Sequence, residues 1–225
     1  FDPFVALGAC AAVTTTLKLA TGICLVAQRD PIHTAKEVAS VDALSGGRFL
    51  FGVGYGWNKE EMAQHGTAYN QRRAILRENV LAMKELWAND EASFDGDHVQ
   101  IEPSWAWPKP TQQPGPPIIL GGDAGPKTAA HIAEFCDGWM PIGGRHALDK
   151  WDEVRAACER IGRDPATVEL GVFGAPPDEA KLNDLAAKGA RRAVFGLPQG
   201  PRDEVLAALD VMAPLVDALR PVTNS

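Results

Sequence analysis

Short apolar runs alternate with amphipathic segments along most of the chain. The run Phe49–Val53 is apolar without polar alternation, which is typical of a strand buried on both faces of a parallel sheet. Similar runs recur at 17–26, 117–121, 137–141, 168–173 and 192–197. Segments with apolar residues at helical spacing lie between these runs. The pattern predicts an α/β fold with six strands and intervening helices.

Helix signals support this alternation. Asp2-Pro3 and Asp30-Pro31 each combine a capping carboxylate with a proline at the first helical position, and Ser45-Gly46-Gly47 ends the second helix. In that helix the apolar residues share one side, which we expect to face the core: Ile32, Ala35, Val38, Ala39 and Leu44. Further helices are predicted at about 71–88, 126–135, 147–161, 178–188 and 202–219.

Residues 57–116 interrupt the regular alternation. They contain the predicted helix 71–88 and a hairpin over 92–101 that turns at Asp95-Gly96. Residues 103–117 hold six prolines and form an extended connection. We therefore expect one domain over residues 1–225, with an insertion at about 57–116 beside the active face.

The strand count leaves two architectures open. A closed (β/α)8 barrel needs eight strands, and this chain begins on a helix and shows six strands. We predict a TIM barrel that lacks its first two strands in this chain. An open, doubly wound sheet is the alternative, but no GxGxxG fingerprint with a following acidic residue is present, so the barrel is favoured.

Composition narrows the class of protein. The chain has 225 residues, of which 45% are hydrophobic and 23% charged, enough for a sizeable core. A net charge of -7 without a basic run argues against a nucleic-acid partner. No apolar stretch is long enough to span a membrane. The four cysteines are far apart and lack metal-ligand spacing, so we expect reduced thiols, no metal site and a cytoplasmic location.

Two strand ends open into glycine-rich segments, residues 52–56 and 121–125. Without side chains, these positions allow something flat or bulky to approach the backbone. A tight exit from the strand is the simpler explanation for either segment alone. Because the pattern occurs twice, we interpret the two ends as one site for a flat or bulky ligand. In the second segment, glycine amides followed by a helix N-terminus are suited to an anionic group.

Several of these segments are similar, in order and spacing, to those of a known family. The most specific pair is LSGGR at 44–48 followed by GVGYGW at 52–57. Weaker matches are Asp2-Pro3-Phe4, LATGI at 19–23, Pro108-Lys109-Pro110, Gly121-Gly122 and Asp137-Gly138-Trp139. Together they resemble the luciferase-like superfamily of flavin and deazaflavin oxidoreductases, especially its coenzyme F420-dependent actinobacterial branch.

The resemblance implies a TIM barrel with a mid-chain insertion and a cofactor across the C-terminal ends of the strands. The cofactor would be coenzyme F420, with FMN as the alternative. Thr21, Gly22 and Ile23 would lie behind its ring, with a non-proline cis peptide at Gly22–Ile23. The ring's other side would border Gly54, Tyr55 and Gly56, and the phosphate-bearing tail would bind at Gly121, Gly122, Asp123 and Ala124. The resemblance further implies a homodimer.

The chain departs from the family pattern where catalytic residues are expected. The deazaflavin enzymes often use a histidine near the end of the second strand, which is missing by the count above. Some members have a glutamate after the GxGxG element, where this chain has Trp57. We expect Trp57 to wall the substrate pocket. Trp139 is assigned to the same pocket, with a place in the barrel core as the alternative, and we assign no catalytic acid or base. Among the scattered histidines, His65 is the one that follows Trp57 towards the expected site.

The function expected from these features is hydride transfer between F420 or a flavin and a small organic substrate. One alternative is an FMN-dependent monooxygenase that works with a separate flavin reductase. Another is a truncated, non-catalytic barrel of the same family. A different phosphate-binding TIM-barrel enzyme, such as an isomerase or aldolase, would need an inward lysine or glutamate at a strand end, and none is convincing.

Overall fold

The computed structural model describes residues 1–142 and 150–218, and its centre is a curled parallel sheet. Six strands form this sheet in the order β1, β2, β5, β6, β7, β8. Their bounds are β1 Leu19–Ala20, β2 Phe49–Val53, β5 Ile118–Gly121, β6 Gly138–Met140, β7 Glu169–Phe173 and β8 Ala190–Val194. Strand order follows chain order without the reversal that defines a doubly wound sheet. The sheet is therefore a part-barrel with two strands fewer than a closed (β/α)8 barrel, which confirms the predicted fold class.

Most helices form a layer on the outside of this sheet, whereas the last helix borders a cavity on its inner face. The helices are α1 Pro3–Val13, α2 Pro31–Ser45, α3 Lys59–Gln64, α4 Arg72–Ala88, α5 Pro126–Phe135, α6 Trp151–Arg160, α7 Glu179–Ala187 and α8 Arg202–Ala218. Neighbouring helices pack side by side in the sequence α1, α2, α4, α5, α6. A two-stranded hairpin, β3 Glu91–Asp95 with β4 Gln100–Trp105, packs on α4. The segment 57–116 thus supplies both a helix of the outer layer and the hairpin.

Helix ends agree with the capping signals. The Asp2 carboxylate accepts hydrogen bonds from the backbone of Phe4 and Val5, and Asp30 caps α2 by accepting from the His33 amide at 2.7 Å. Gly46 ends α2 in the left-handed conformation, with a φ of 63°. Of the apolar side predicted for α2, Ala35, Val38 and Ala39 are buried, but the expectation is wrong for Ile32 and Leu44, which lie near the helix ends and are 47% and 67% exposed.

Most element boundaries agree with the sequence prediction to within one or two residues, and the larger differences within the sheet are at its first and last strands. The strand expected at 17–26 is regular only at Leu19–Ala20, because the chain then bulges before Cys24 pairs with Val53. The last strand lies at Ala190–Val194, earlier than the predicted 192–197. The helix predicted over 147–161 is α6, and positions 147–149 and 219 of the predicted helices lie outside the described residues.

Arg48 explains the LSGGR segment. Its buried guanidinium donates to the carbonyl oxygens of Ala11, Thr14 and Leu17, at 3.1, 2.9 and 2.7 Å. Its Nε also donates to the Ser45 carbonyl at 2.6 Å. One side chain therefore satisfies carbonyls that the C-terminal ends of α1 and α2 leave free, and joins both helices to the start of β1.

Candidate functional site

A bulge in the chain after β1 forms the base of the site. The Thr21 hydroxyl donates to the Gly52 carbonyl at 2.7 Å, and the Cys24 amide donates to the same carbonyl at 2.8 Å. The Gly54 amide in turn donates to the Cys24 carbonyl at 3.1 Å. Between these anchors, the Gly22–Ile23 peptide bond is cis, as the resemblance implied. The bulge is thus fixed on the end of β2.

The glycines of the strand ends make room for this bulge. A Cβ atom on Gly52 would lie 1.9 Å from the Thr21 carbonyl oxygen. Cβ atoms on Gly54 and Gly121 would lie 2.5 and 2.7 Å from the Ile23 side chain. What approaches the bare backbone is therefore Ile23 of the same chain. Ile23 remains 38% exposed and, with Gly22, forms the surface that a ligand would meet.

The two glycine-rich segments lie side by side, as predicted. Val53 pairs with Leu120 in the parallel register of β2 and β5, which places Gly54 beside Gly121. The next pairing joins Gly121 to Met140 of β6. Both segments therefore open at the same end of the sheet.

An apolar cavity of about 740 Å³ adjoins the bulge. Its wall includes Thr21, Gly22 and Ile23, and continues on the inner face of the sheet and on α8. The apolar side chains that line it include Leu50, Ile119, Met140, Phe173, Phe195, Leu197, Leu209, Met212 and Val216. Of its described lining residues, the ionisable ones are Lys18 and Arg192, and Arg192 pairs with Glu169 at 2.7 Å. The cavity suits an apolar, planar group better than a charged one.

The segment Gly121–Gly125 leads into the N-terminus of α5. Gly122 has a φ of 108°, and α5 begins at Pro126 without a side-chain cap from Gly125. The side chain of Asp123 is exposed and forms an ion pair with Lys150 at 2.8 Å, whereas Ala124 is fully buried. First-turn amides that no side chain caps are suited to an anionic group.

Tyr55 faces away from the cavity and joins β2 to α5. Its hydroxyl lies 2.9 Å from His131 Nδ1. Burial raises the pKa of Tyr55 to about 12 and lowers the pKa of His131, so the hydrogen bond joins a phenol to a neutral imidazole. Arg73 lies 4.3 Å from the centre of the Tyr55 ring and donates to the Thr128 hydroxyl at 2.8 Å. The sequence analysis missed this cluster, although alternation past β2 turns Tyr55 outward.

The two tryptophans expected in the substrate pocket have different surroundings. Trp57 is 83% exposed after β2. Trp139 is fully buried, stacks on Trp151 with ring centres 6.1 Å apart, and donates its indole N–H to the Gly122 carbonyl at 2.9 Å. Trp139 thus supports the Gly121–Gly125 segment from behind instead of forming an open wall.

His65 does not line the apolar cavity. It borders a separate, polar cleft of about 540 Å³ between the start of α2, α4 and the hairpin. Arg29 also borders this cleft, and it is engaged by Asp2 at 2.8 Å and Glu37 at 3.2 Å.

The fold is that of a barrel-type α/β protein, with the two glycine-rich segments and an apolar cavity at the C-terminal ends of its strands. A family model described as luciferase-like monooxygenase matches residues 1–203. The chain therefore belongs to the luciferase-like monooxygenase family. Among the described residues, no helix is long and apolar enough to cross a membrane.

Relatives include both reductive and oxygenating enzymes. An uncharacterized protein of Mycobacterium tuberculosis is 39% identical over 216 residues, covering 94% of this chain and 75% of that protein. The FMNH2-dependent dimethylsulfone monooxygenase of Pseudomonas putida is 30% identical over 198 residues, covering 82% of this chain and 53% of its own length. The F420-dependent glucose-6-phosphate dehydrogenase of Amycolatopsis mediterranei is 32% identical over 119 residues, covering 52% of this chain and 35% of its own.

Solved structures share the fold. The monooxygenase RslO1 of Streptomyces bottropensis superposes with a TM-score of 0.84 at 20% identity, covering 96% of this chain and 82% of its own. The coenzyme F420-dependent tetrahydromethanopterin reductase of Methanopyrus kandleri gives a TM-score of 0.77 at 16% identity, covering 96% and 86%.

Proposed function

We propose that this protein is an oxidoreductase that binds coenzyme F420, or alternatively FMN, across the ends of β1, β2 and β5. The observation that carries the proposal is the exposed Gly22–Ile23 bulge beside an apolar cavity of about 740 Å³. At the same end of the sheet lie Gly122 and the uncapped start of α5. Relatives that use F420 and FMNH2 support the same pair of cofactors.

The described residues fit such a cofactor. Ile23 would support one face of the ring. The Ile23 side chain can lie this close to the sheet because Gly54 and Gly121 have no Cβ atom that would collide with it. The phosphate-bearing tail would meet the first-turn amides of α5. Arg73, which holds Thr128 in that turn, adds a positive charge close to the tail.

The bound cofactor would supply the hydride, and the chain would bind, orient and dehydrate the two reactants. The apolar cavity wall would exclude water from the reacting groups. Its described lining contains no histidine or carboxylate. A small organic substrate would therefore be selected by shape and by apolar contact.

A cofactor titration with a matched pair of variants tests this proposal. Gly122→Ala and Gly162→Ala each place a side chain at a positive φ, 108° and 74°, with no neighbouring atom within 4 Å. Both substitutions put a side chain at a positive φ in open space, but only Gly122 lies in the expected tail site. We expect Gly122→Ala to weaken binding of F420 or FMN about tenfold or more, and Gly162→Ala to leave it unchanged. Failure of the unmodified protein to bind either cofactor by fluorescence would refute the proposal.

An FMN-dependent monooxygenase acting with a separate flavin reductase is the second candidate. The FMNH2-dependent relative from Pseudomonas putida favours it. Titration with F420 and FMN in parallel separates the two, because tight binding of FMN alone would favour the monooxygenase. Oxygen uptake by the protein with reduced FMN and candidate substrates would then identify the reaction.

A further inference from the structure

Trp139 holds the backbone of the Gly121–Gly125 segment at one point. Its indole N–H donates to the Gly122 carbonyl oxygen at 2.9 Å, and the whole side chain is buried. The indole is itself held in place, because it stacks on Trp151 with the two ring planes 13° apart. A buried hydrogen bond from a fixed donor therefore sets the direction of the Gly122 carbonyl.

This contact also sets the direction of the next amide. The Gly122–Asp123 peptide bond is trans, and in a trans peptide the carbonyl and the following N–H point to opposite sides. Since the Gly122 carbonyl is turned towards Trp139, the Asp123 N–H points away from the buried indole. Within residues 1–142 and 150–218, that N–H donates to no other backbone group.

The space on the outer side of the segment is open. A Cβ atom on Gly122 or on Gly125 would meet no atom of the described residues within 4 Å. The Asp123 carboxylate is drawn aside by its ion pair with Lys150 at 2.8 Å, and the next residue, Ala124, is fully buried. The Asp123 amide is thus presented beside the uncapped first turn of α5, where an anionic group can accept from it.

We propose that Trp139 is a positioning residue for the phosphate-bearing tail of the cofactor, because it turns the Asp123 amide outwards to donate to the phosphate. This inference rests on the proposed function, since it concerns the same cofactor site. It assigns Asp123 to the tail site through its backbone N–H and not through its carboxylate, which would repel a phosphate. Trp139 acts from behind the segment and need not touch the ligand.

Pairs of ligands that differ in the phosphate isolate this contribution. FMN and riboflavin share the flavin ring and ribityl chain, and only FMN carries a phosphate. F420 and its phosphate-free deazaflavin fragment differ in the tail in the same way. In Trp139→Phe we expect about five- to tenfold weaker binding of FMN or F420, the usual contribution of one hydrogen bond. The affinity for the phosphate-free partner should change less than about twofold, because it makes no use of the Asp123 amide.

Trp87→Phe is the matched control for these fluorescence titrations. Trp87 is 2% exposed, and its indole N–H donates to the Ala35 carbonyl at 3.0 Å, where α4 packs on α2. The control removes the same kind of buried hydrogen bond away from the cofactor site, so it should leave the ratio of the two affinities unchanged. If Trp139→Phe does not fold, 3-benzothienylalanine at position 139 removes the N–H and keeps the shape of the fused rings.

Amide hydrogen exchange gives a second readout that needs no cofactor. The amides of residues 121–125 should exchange about threefold faster or more in Trp139→Phe than in the unmodified protein, because their anchor is lost. Trp87→Phe should leave exchange in this segment unchanged.

Two results would overturn the proposal. One is an equal effect of Trp139→Phe on FMN and riboflavin, and on the two deazaflavins, including no effect on either, because Trp139 would then not act through the phosphate. The other is unchanged exchange of residues 121–125, because the indole would then not hold the segment. Failure of the unmodified protein to bind any of the four ligands would instead refute the proposed function, and with it the inference.

Discussion

Strands β2 and β8 have the same length and belong to the same sheet, yet their surroundings differ completely. All five residues of β2 are buried, whereas none of the five in β8 is. β2 pairs with β1 and β5 and lies under the helix layer; on its inner side the bulge covers Gly52, while Leu50 lines the cavity. In the described residues, β8 pairs with β7 alone and its inner face borders the apolar cavity.

This difference separates two requirements of the candidate site. On the packed side, around β2, backbone hydrogen bonds hold the Gly22–Ile23 bulge against the strand. A ligand would therefore meet a preformed surface. The open side, around β8 and α8, leaves Leu197 and Leu209 nearly half exposed and supplies volume. A preformed base beside an adaptable wall suits a constant cofactor and a variable substrate.

The largest difference in stability between the β2 side and the β8 side should come from replacing one arginine on each side. Arg48→Met removes a buried guanidinium and leaves the carbonyls of Ala11, Thr14 and Leu17 without donors. We expect a loss of about 3–5 kcal/mol in the free energy of unfolding. Arg192→Met on β8 breaks a half-exposed pair with Glu169 and should cost less than about 1 kcal/mol. Urea denaturation measures both, and equal losses would contradict the comparison.

A second pair of variants compares strand glycines. In Gly52→Ala, the new Cβ would meet the Thr21 carbonyl oxygen at 1.9 Å, and the backbone must move. We expect a loss of about 2–3 kcal/mol in the free energy of unfolding, as is typical of overpacking. In Gly171→Ala on β7, the closest atom is the flexible end of Met140 at 3.3 Å, so the loss should stay below about 1 kcal/mol. A larger loss at Gly171 would show that the open side is packed more tightly than its exposure indicates.

The smallest effect is the pH dependence contributed by His131 on the packed side. Burial lowers the pKa of His131 below its ordinary value, so as pH falls through about 6.5 the unfolded chain binds a proton that the folded chain resists. Stability should decline towards lower pH with a slope of at most about 1.4 kcal/mol per pH unit. His131→Gln should flatten this slope.

The His131 effect can be separated from that of Glu134. The ion pair with Arg77 lowers the pKa of Glu134, and its stabilisation is lost only as pH falls below about 4.5. Unfolding free energies measured between pH 7 and 5 therefore isolate the histidine. If His131→Gln left the slope of unfolding free energy against pH unchanged, the buried imidazole would not be the cause of the pH dependence.

The sequence predicted the elements that depend on local chemistry. Asp2 and Asp30 cap their helices because carboxylates beside a helix start bind its free amides, wherever the helix is packed. The bounds of α5 were predicted to the residue, since Pro126 opens the helix and its apolar period ends at Phe135. The adjacency of the two glycine-rich segments followed from parallel pairing, which brings strand ends to one edge.

Sequence reasoning failed where a residue's environment comes from distant parts of the chain. For Trp139 in β6 the sequence left a site wall and the core both open, and only the packing of α6 decides for burial, because Trp151 stacks on it. Leu44 has the spacing of a core residue, yet it lies at the end of α2 where no described element covers it. Neither outcome can be read from neighbours in the sequence.

The sequence alone determined the alternation of strands and helices, their caps, and the bare strand ends, because propensity, capping and periodicity act over a few residues. Tertiary structure decided what fills those bare ends. Ile23 fits against Gly54 and Gly121, from two other strands, only when β1, β2 and β5 are in register. Steric fit between segments 31 and 98 positions apart depends on the packed fold and has no local signature.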